Sequence, residues 1–274
     1  MGKLLKYDFK YVLKYWWVAL AVLFVSAVIG GISEGKEELY WLQDADLYSS
    51  LEANEILSEL RSLSVVFFYL ALIGFISFSV IIIIMRYYKN LYTDEGYLTF
   101  TLPVKENDIL LSKFFNALIW AVFTGIAAFL CFMVERLIYN GIISDIDGFW
   151  DSFSLFFGEF LNVHGLLAAL TVFSQLCFNI ILVYVAITVG SIIATKHKLW
   201  ASVGVYFATN IVLTIVFTIL FNVVTFNEAI WSPESFGLES LDTLLIVCFV
   251  IDAVLFVGGY ILNLRFMKKR LNLA

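Results

Sequence analysis

Six uninterrupted apolar runs, at residues 16–32, 63–85, 114–134, 165–195, 199–224 and 244–264, limit what this chain can fold into. A helix crossing the hydrocarbon of a bilayer needs about 20 mainly apolar residues, and each run meets or approaches that length. Lipid offers no partner to backbone N–H and C=O groups, so a spanning segment is a helix or a strand of a closed barrel. The runs are continuous rather than alternating, which argues against a barrel. Hydrophobic residues make up 62% of the chain and charged residues 15%, against roughly 45–50% and 25% in soluble domains. No soluble interior of this size hides that much apolar surface. The expected fold is therefore an all-α integral membrane protein with six transmembrane helices, built as a single transmembrane domain over 1–274. The fourth run has no charged residue and exceeds a straight span, so it tilts or starts as an interfacial helix.

Basic residues stay on the cytoplasmic side of membrane proteins, and here they alternate strictly. Lys3, Lys6, Lys10 and Lys14 precede the first run, and Arg86, Lys89, Lys105 and Lys113 lie between the second and third. Lys196 and Lys198 separate the fourth and fifth, and Arg265, Lys268, Lys269 and Arg270 follow the sixth. The opposite segments, 33–62, 135–164 and 225–243, hold only Lys36, Arg61 and Arg136, and most of the acidic residues. Both ends of the chain are thus expected in the cytoplasm, and those three segments outside it. The first run is too long, and lacks the small-residue cleavage site, for a removed signal peptide.

The flanks carry their own periodicity. Lys3, Lys6, Lys10 and Lys14 recur at spacings of three and four, opposite Leu5, Phe9, Val12 and Trp16. This is the pattern of an interfacial helix over residues 1–15, with its lysines toward anionic headgroups. In 146–162, Phe149, Trp150, Phe153, Phe156, Phe157 and Phe160 recur at helical spacing, away from Asp147, Asp151 and Glu159. That segment reads as an aromatic helix on the outer leaflet. Residues 34–61 read as helical, with Leu47, Leu51 and Leu57 on one side. Ser232-Pro233-Glu234 reads as the start of a short outer helix before span six.

Signals for catalysis are missing from the sequence. His164 and His197 fall on opposite sides of the membrane, and there is no Walker loop, no metal-spaced Cys/His set and no Gly-x-Ser-x-Gly elbow. Cys131, Cys177 and Cys248 lie in apolar runs, where a thiol is a small hydrophobe and implies neither disulfide nor metal. No catalytic, cofactor or metal site is expected, and no nucleic-acid partner; the chain reads as a non-enzyme.

The longest cytoplasmic loop runs YTDEGYLTFTLPVKENDILLSK over residues 92–113. Asp94-Glu95-Gly96 is a turn, residues 97–102 are a short apolar stretch, and after Pro103 a new helix runs into span three. Apolar residues in such a loop have two uses: docking on another protein, or packing beneath this protein's own helices.

An acidic residue, Glu-Gly, Leu, then Leu-Pro-Val, four residues, Ile-Leu-Leu and Lys resemble the coupling-loop signature of permeases of bacterial ATP-binding-cassette (ABC) exporters. The family is the type-2 exporters, which also include polysaccharide, drug and antimicrobial-peptide exporters. The six-span order and the opening LLKYDFK are similar too. One departure is Tyr97, where many members carry Thr after Glu-Gly. The resemblance implies a permease subunit in a bacterial plasma membrane that binds no nucleotide itself. A cytoplasmic ATPase subunit, holding ATP and Mg, would dock on Asp94, Glu95, Gly96, Leu98, Leu102 and Pro103, and a second permease, identical or related, would complete the pathway. The transported substrate is expected among antimicrobial peptides, lipids and drugs.

Inside the spans, Asp252 stands alone as a carboxylate near the middle of the sixth, where a charge costs at least about 2.5 kcal/mol. It reads either as a contact in the transport pathway or as a structural hydrogen-bond partner of Asn179, Gln175 or Asn210. Gly258-Gly259 and Gly190-Ser191 suit close helix approach. Glu135-Arg136 reads as an interfacial pair. Two other functions fit a membrane protein of this kind: a scaffold or immunity protein that sequesters a ligand, and an ion-coupled transporter using Asp252.

The orientation has a direct check. Cysteines introduced at Asp46, Asp147 and Ser235 are expected to react with an impermeant thiol reagent in intact cells, and one at Asn107 only after permeabilisation. Labelling at Asn107 in intact cells contradicts it.

Overall fold

The computed structural model describes residues 2–43, 53–93, 96, 105–194, 196–225 and 238–271. Among these residues the secondary structure is seven α-helices and no strand. They are α1 (Gly2–Gln43), α2 (Ala53–Tyr92), α3 (Glu106–Ile142), α4 (Ile146–Leu161), α5 (Val163–Ile193), α6 (Lys198–Thr225) and α7 (Leu238–Leu271). All but α4 contain a stretch long and apolar enough to cross a membrane: Leu5–Lys36, Ser62–Tyr92, Glu106–Ile142, Val163–Ile193, Lys198–Ile219 and Asp242–Lys268. The protein is an all-α, multi-pass membrane protein.

The helices overrun the apolar runs because the flanking sequence contains nothing that breaks a helix; the two prolines sit at 103 and 233. Glu106 and Asp108 occupy the first turn of α3, where the helix dipole favours negative charge. The Asp145 carboxylate accepts from the Gly148 amide at 3.2 Å and so caps the start of α4. Ser144, at φ 62°, makes the left-handed turn that precedes it. The aromatic helix expected over 146–162 is α4. The helical reading of 34–61 holds where α1 and α2 reach into it; Leu47, Leu51 and the Ser232-Pro233-Glu234 start lie outside the described residues, and the side chain of Leu57 is not described.

Contacts divide the chain into two compact units. One comprises residues 5–83 and 119–158. Its core is aromatic: the Trp16 and Trp120 ring centroids lie 5.4 Å apart, Phe75 is 5.6 Å from Trp16, and Phe9 stacks on Trp120 at 4.7 Å. The Trp16 indole N–H donates to Thr124 Oγ1 at 3.1 Å, so the buried ring loses no polar partner.

The segment expected as an interfacial helix over 1–15 is helical from residue 2. No break separates residues 2–15 from the first span; α1 is continuous from Gly2 to Gln43. Its apolar stripe faces protein: Val12 is 0% exposed and Trp16 7%. The physical reason is the aromatic surface of α3, which takes up the stripe that lipid would otherwise cover. Lys6, Lys10 and Lys14 remain exposed on the opposite face, as their spacing requires; the side chain of Lys3 is not described.

Further along, Gly31-Ile-Ser-Glu-Gly35 brings α1 against α3. A Cβ on Gly31 would stand 2.5 Å from the Glu135 carbonyl oxygen and 3.1 Å from Ile138 Cβ; one on Gly35 would stand 2.9 Å from Ile142 Cβ. Small residues four apart permit such an approach.

The other unit comprises residues 1–4, 84–118 and 159–274. Here α5 packs against α6 and α7. The glycine pairs serve unequally: a Cβ on Gly190 would run into the Ser202 backbone, and one on Gly259 would stand 2.8 Å from Ile181 Cγ2, while Gly258 faces no atom within 4 Å.

Gly31→Ala is expected to lower thermal stability, since overpacking costs about 1–3 kcal/mol and the gain in helix propensity is at most about 1 kcal/mol. Gly125, which has no neighbour within 4 Å, is the control: Gly125→Ala should be neutral or stabilising. Thermal unfolding in one detergent compares them, and a Gly31→Ala midpoint at or above wild type contradicts the close approach.

Candidate functional site

Asp252 is carried by α7 into a polar cluster contributed by α5 and α6. On α5, Gln175 and Asn179 are four residues apart and share a face; on α6, Asn210, Thr214 and Thr218 do the same. These residues, with Phe178, Phe217, Leu213, Leu255 and Asp252, line a cavity of about 430 Å3. The Asp252 side chain is deeply buried, at 1% exposure. Ser174 Oγ lies 3.3 Å from Asp252 Oδ2 and 2.8 Å from Thr171 O, which share its one proton. The Gln175 amide, oriented by its partners, donates to the two carboxylate oxygens at 2.8 and 2.9 Å and accepts from Asn179 Nδ2 at 3.3 Å.

Of the three neighbours expected for Asp252, Gln175 bonds it directly, Asn179 supports Gln175, and Asn210 lines the same cavity. Ser174 carried no signal in the sequence: a serine in an apolar run also satisfies itself on its own helix, and this one does so at Thr171 O, 2.8 Å away. Among the described residues, no Lys, Arg or His forms an ion pair with Asp252.

A second cluster holds both roots of the 93–105 loop. At the end of α2, the Tyr92 hydroxyl lies 2.6 Å from Thr188 Oγ1 on α5, and Tyr92 O accepts from Lys198 Nζ of α6 at 3.3 Å. Thr188 Oγ1 lies 2.9 Å from Asn263 Oδ1 on α7 and 3.4 Å from the Tyr87 hydroxyl. One hydroxyl has one proton and two lone pairs, so Thr188 accepts from a tyrosine while donating to Asn263 or to its own helix. The Tyr87 ring lies flat on Tyr184, with centroids 3.7 Å apart. At the start of α3, Tyr260 of α7 donates to Asn107 Oδ1, and the Tyr184 hydroxyl donates to Lys113 O at 3.1 Å. Thr188 and Asn263 are 0–1% exposed, so the bonds of Thr188 to Asn263 and to the tyrosine hydroxyls are made out of water.

The loop tip itself is described only at Gly96, whose N–H donates to Thr93 O at 2.8 Å. Gly96 is buried, and a Cβ there would stand 2.6 Å from Leu91 O. Asp94, Glu95, Leu98, Leu102 and Pro103 lie outside the described residues. Lys105 is exposed.

The expected Glu135–Arg136 pair is present, with Arg136 Nε 3.1 Å from Glu135 Oε2; the Glu135 side chain is 0% exposed, and Arg136 also bonds Glu34 Oε1 at 3.2 Å and the Tyr69 hydroxyl at 3.0 Å. Gly31, in the Gly-x-x-x-Gly of α1, packs on the Glu135 backbone, and a Cβ on Gly30 would stand 3.9 Å from Glu135 Cγ. His164 at the start of α5 bonds Asp242 of α7 at 2.8 Å, a pair 78 residues apart that no local pattern signals. Among the described residues no group of three or more His, Cys, Asp and Glu is placed to hold a metal, and the three cysteines are free thiols.

Thr188→Val keeps the shape and deletes the shared hydroxyl, removing its bonds to Tyr92 and Asn263 at about 0.5–1.5 kcal/mol each. The expected result is a lower thermal midpoint and faster hydrogen exchange in the last turn of α2, with Thr188→Ser restoring both. Unchanged midpoint and exchange contradict the role of this hydroxyl.

Comparison with protein-family models, with curated proteins and with solved structures finds no match to this chain.

Proposed function

We propose that this protein is the permease subunit of an ABC exporter, powered by a separate ATPase that docks on the loop between spans two and three. The observation that carries the reading is the seating of that loop. Its two roots, at Tyr92 and Asn107, are hydrogen-bonded to α5, α6 and α7, the helices that line the Asp252 cavity. Thr188 and Gln175 are 13 residues apart on α5, roughly 20 Å at 1.5 Å per residue; Asn263 and Asp252 are 11 apart on α7, roughly 16 Å. A push on the loop therefore bears on helices whose far parts hold the cavity.

In this reading Asp94, Glu95, Gly96, Leu98, Leu102 and Pro103 form the docking segment. ATP and Mg belong to the partner. Nucleotide drives transport only through contacts that differ between two states of the assembly. Lys3, Lys6, Lys10 and Lys14 meet anionic lipid at the cytoplasmic surface of a bacterial plasma membrane. A second permease, identical or related, completes the pathway, and Asp252 contacts what passes.

The test is the double substitution of Leu98 and Leu102 by Asp, which places unpaired charge in the docking surface at a cost of several kcal/mol. The chain should still insert, since the change lies outside every span, but should lose its ATPase and substrate-stimulated hydrolysis. Lys105→Ala should cost little. A double variant with a full complement of ATPase and normal coupled turnover overturns the exporter reading.

A further inference from the structure

The polar groups around Asp252 are unequally used. Asn179 Nδ2 donates to Gln175 O at 2.8 Å, and Asn210 Nδ2 to Tyr206 O at 2.9 Å, each four residues back on its own helix. These bonds fix the amide orientation, because a carbonyl oxygen turned to a backbone carbonyl would face an acceptor. The Thr218 hydroxyl proton is taken the same way, by Thr214 O at 2.8 Å, and the amide nitrogen of Gln175 is held by the carboxylate. What the cavity offers is therefore mostly acceptors. The carbonyl oxygens of Asn179 and Asn210 accept no hydrogen bond among the described residues, and Asp252 adds a carboxylate with lone pairs to spare beyond its two neutral donors.

Charge and shape point the same way. A buried charge is stable only when paired, and among the described residues no cation pairs with Asp252. Phe178, Phe217, Leu213 and Leu255 make the rest of the lining apolar. Gln175, Thr214 and Thr218 are exposed, and Asn179 and Asn210 half-buried, so the cluster is reachable from outside the helices.

We infer that this cavity binds an organic ammonium: a cationic head with several N–H donors, attached to an aromatic or aliphatic body. The ammonium sits against Asp252, its remaining protons go to the Asn179 and Asn210 carbonyl oxygens, and its body lies on the phenylalanines. Donor-rich cation meets acceptor-rich anion, with charge-assisted bonds in a site of low dielectric. Neutral or anionic amphiphiles of the same shape lack the donors and leave the carboxylate unanswered. Only the description of this ligand as the transported substrate rests on the exporter reading; the binding site itself does not.

The experiment uses the full chain in nanodiscs, radiolabelled 2-phenylethylammonium as probe and 2-phenylethanol as its neutral counterpart, with protein-free nanodiscs subtracted. Saturable binding of the ammonium is expected, with the alcohol at least tenfold weaker. Asp252→Asn, which keeps shape and removes charge, should weaken the ammonium at least tenfold, and Asn210→Leu several-fold. The inference is overturned by equal binding of the alcohol, by no saturable binding to wild type, or by an unchanged affinity in folded Asp252→Asn. Should Asp252→Asn fail to fold, Asn210→Leu decides, since its amide bonds only its own helix; an unchanged affinity there also overturns the site. None of these readouts uses an ATPase, so absence of coupled hydrolysis sinks the exporter reading alone.

Discussion

Hydrocarbon contains no hydrogen-bonding group, and the cost of leaving a polar atom unpaired in it governs both the secondary and the tertiary structure of this protein. The backbone answers by remaining helical for 28 to 42 residues at a time in the spanning helices. Most polar side chains answer by bonding back to their own helix: Ser26 to Leu23 O, Ser79 to Phe75 O, Ser112 to Ile109 O and Thr209 to Val205 O. Such bonds satisfy the side chain and say nothing about tertiary structure. Among the described residues, other polar groups bond across helices and tie each unit together: Trp16 with Thr124 and Arg136 with Glu34 and Tyr69 in one, and Thr188 with Tyr92 and Asn263, Tyr260 with Asn107, His164 with Asp242, and Asp252 with Ser174 and Gln175 in the other.

This division also sets what the sequence could reveal. Six spans were legible because length and apolarity are local properties. Asp252 was legible as a site because an acid in a span is costly wherever it points, and Gln175 as its partner because amides in spans are few. The hydroxyl of Thr188 was not legible: a threonine that bonds its own helix and one that joins two neighbouring helices look alike in sequence. The stripe of Phe9, Val12 and Trp16 was legible as a stripe, but its partner was not. Period 3.6 says that a face is apolar and leaves open whether lipid or the aromatic side of α3 covers it; here Trp120 and Phe123 do. Glu135 was legible as the partner of Arg136, but its burial was not, because the glycines that approach it lie more than 100 positions away in α1.

Two polar centres on the same pair of helices give this unit its functional logic. Thr188 and Gln175 both belong to α5, and Asn263 and Asp252 both belong to α7. An α-helix is stiff along its axis, so a displacement at the loop roots is carried toward the cavity rather than dissipated in a flexible joint. The Tyr87–Tyr184 stack and the contact of Phe114 with Phe256, at 5.3 Å, brace the same end with apolar surface. The cavity, by contrast, is bordered by exposed threonines on α6. In the proposed permease, the loop-root end would transmit the motion of the ATPase and the cavity end would meet the substrate.

The most direct measurement is purification of the full chain from its native membranes in mild detergent, with ATP hydrolysis assayed in the fraction that contains it. A nucleotide-hydrolysing subunit is predicted to co-elute in near-equimolar amount, with activity abolished by vanadate. A chain that elutes folded and monodisperse, with no vanadate-sensitive hydrolysis and no second subunit, contradicts the account.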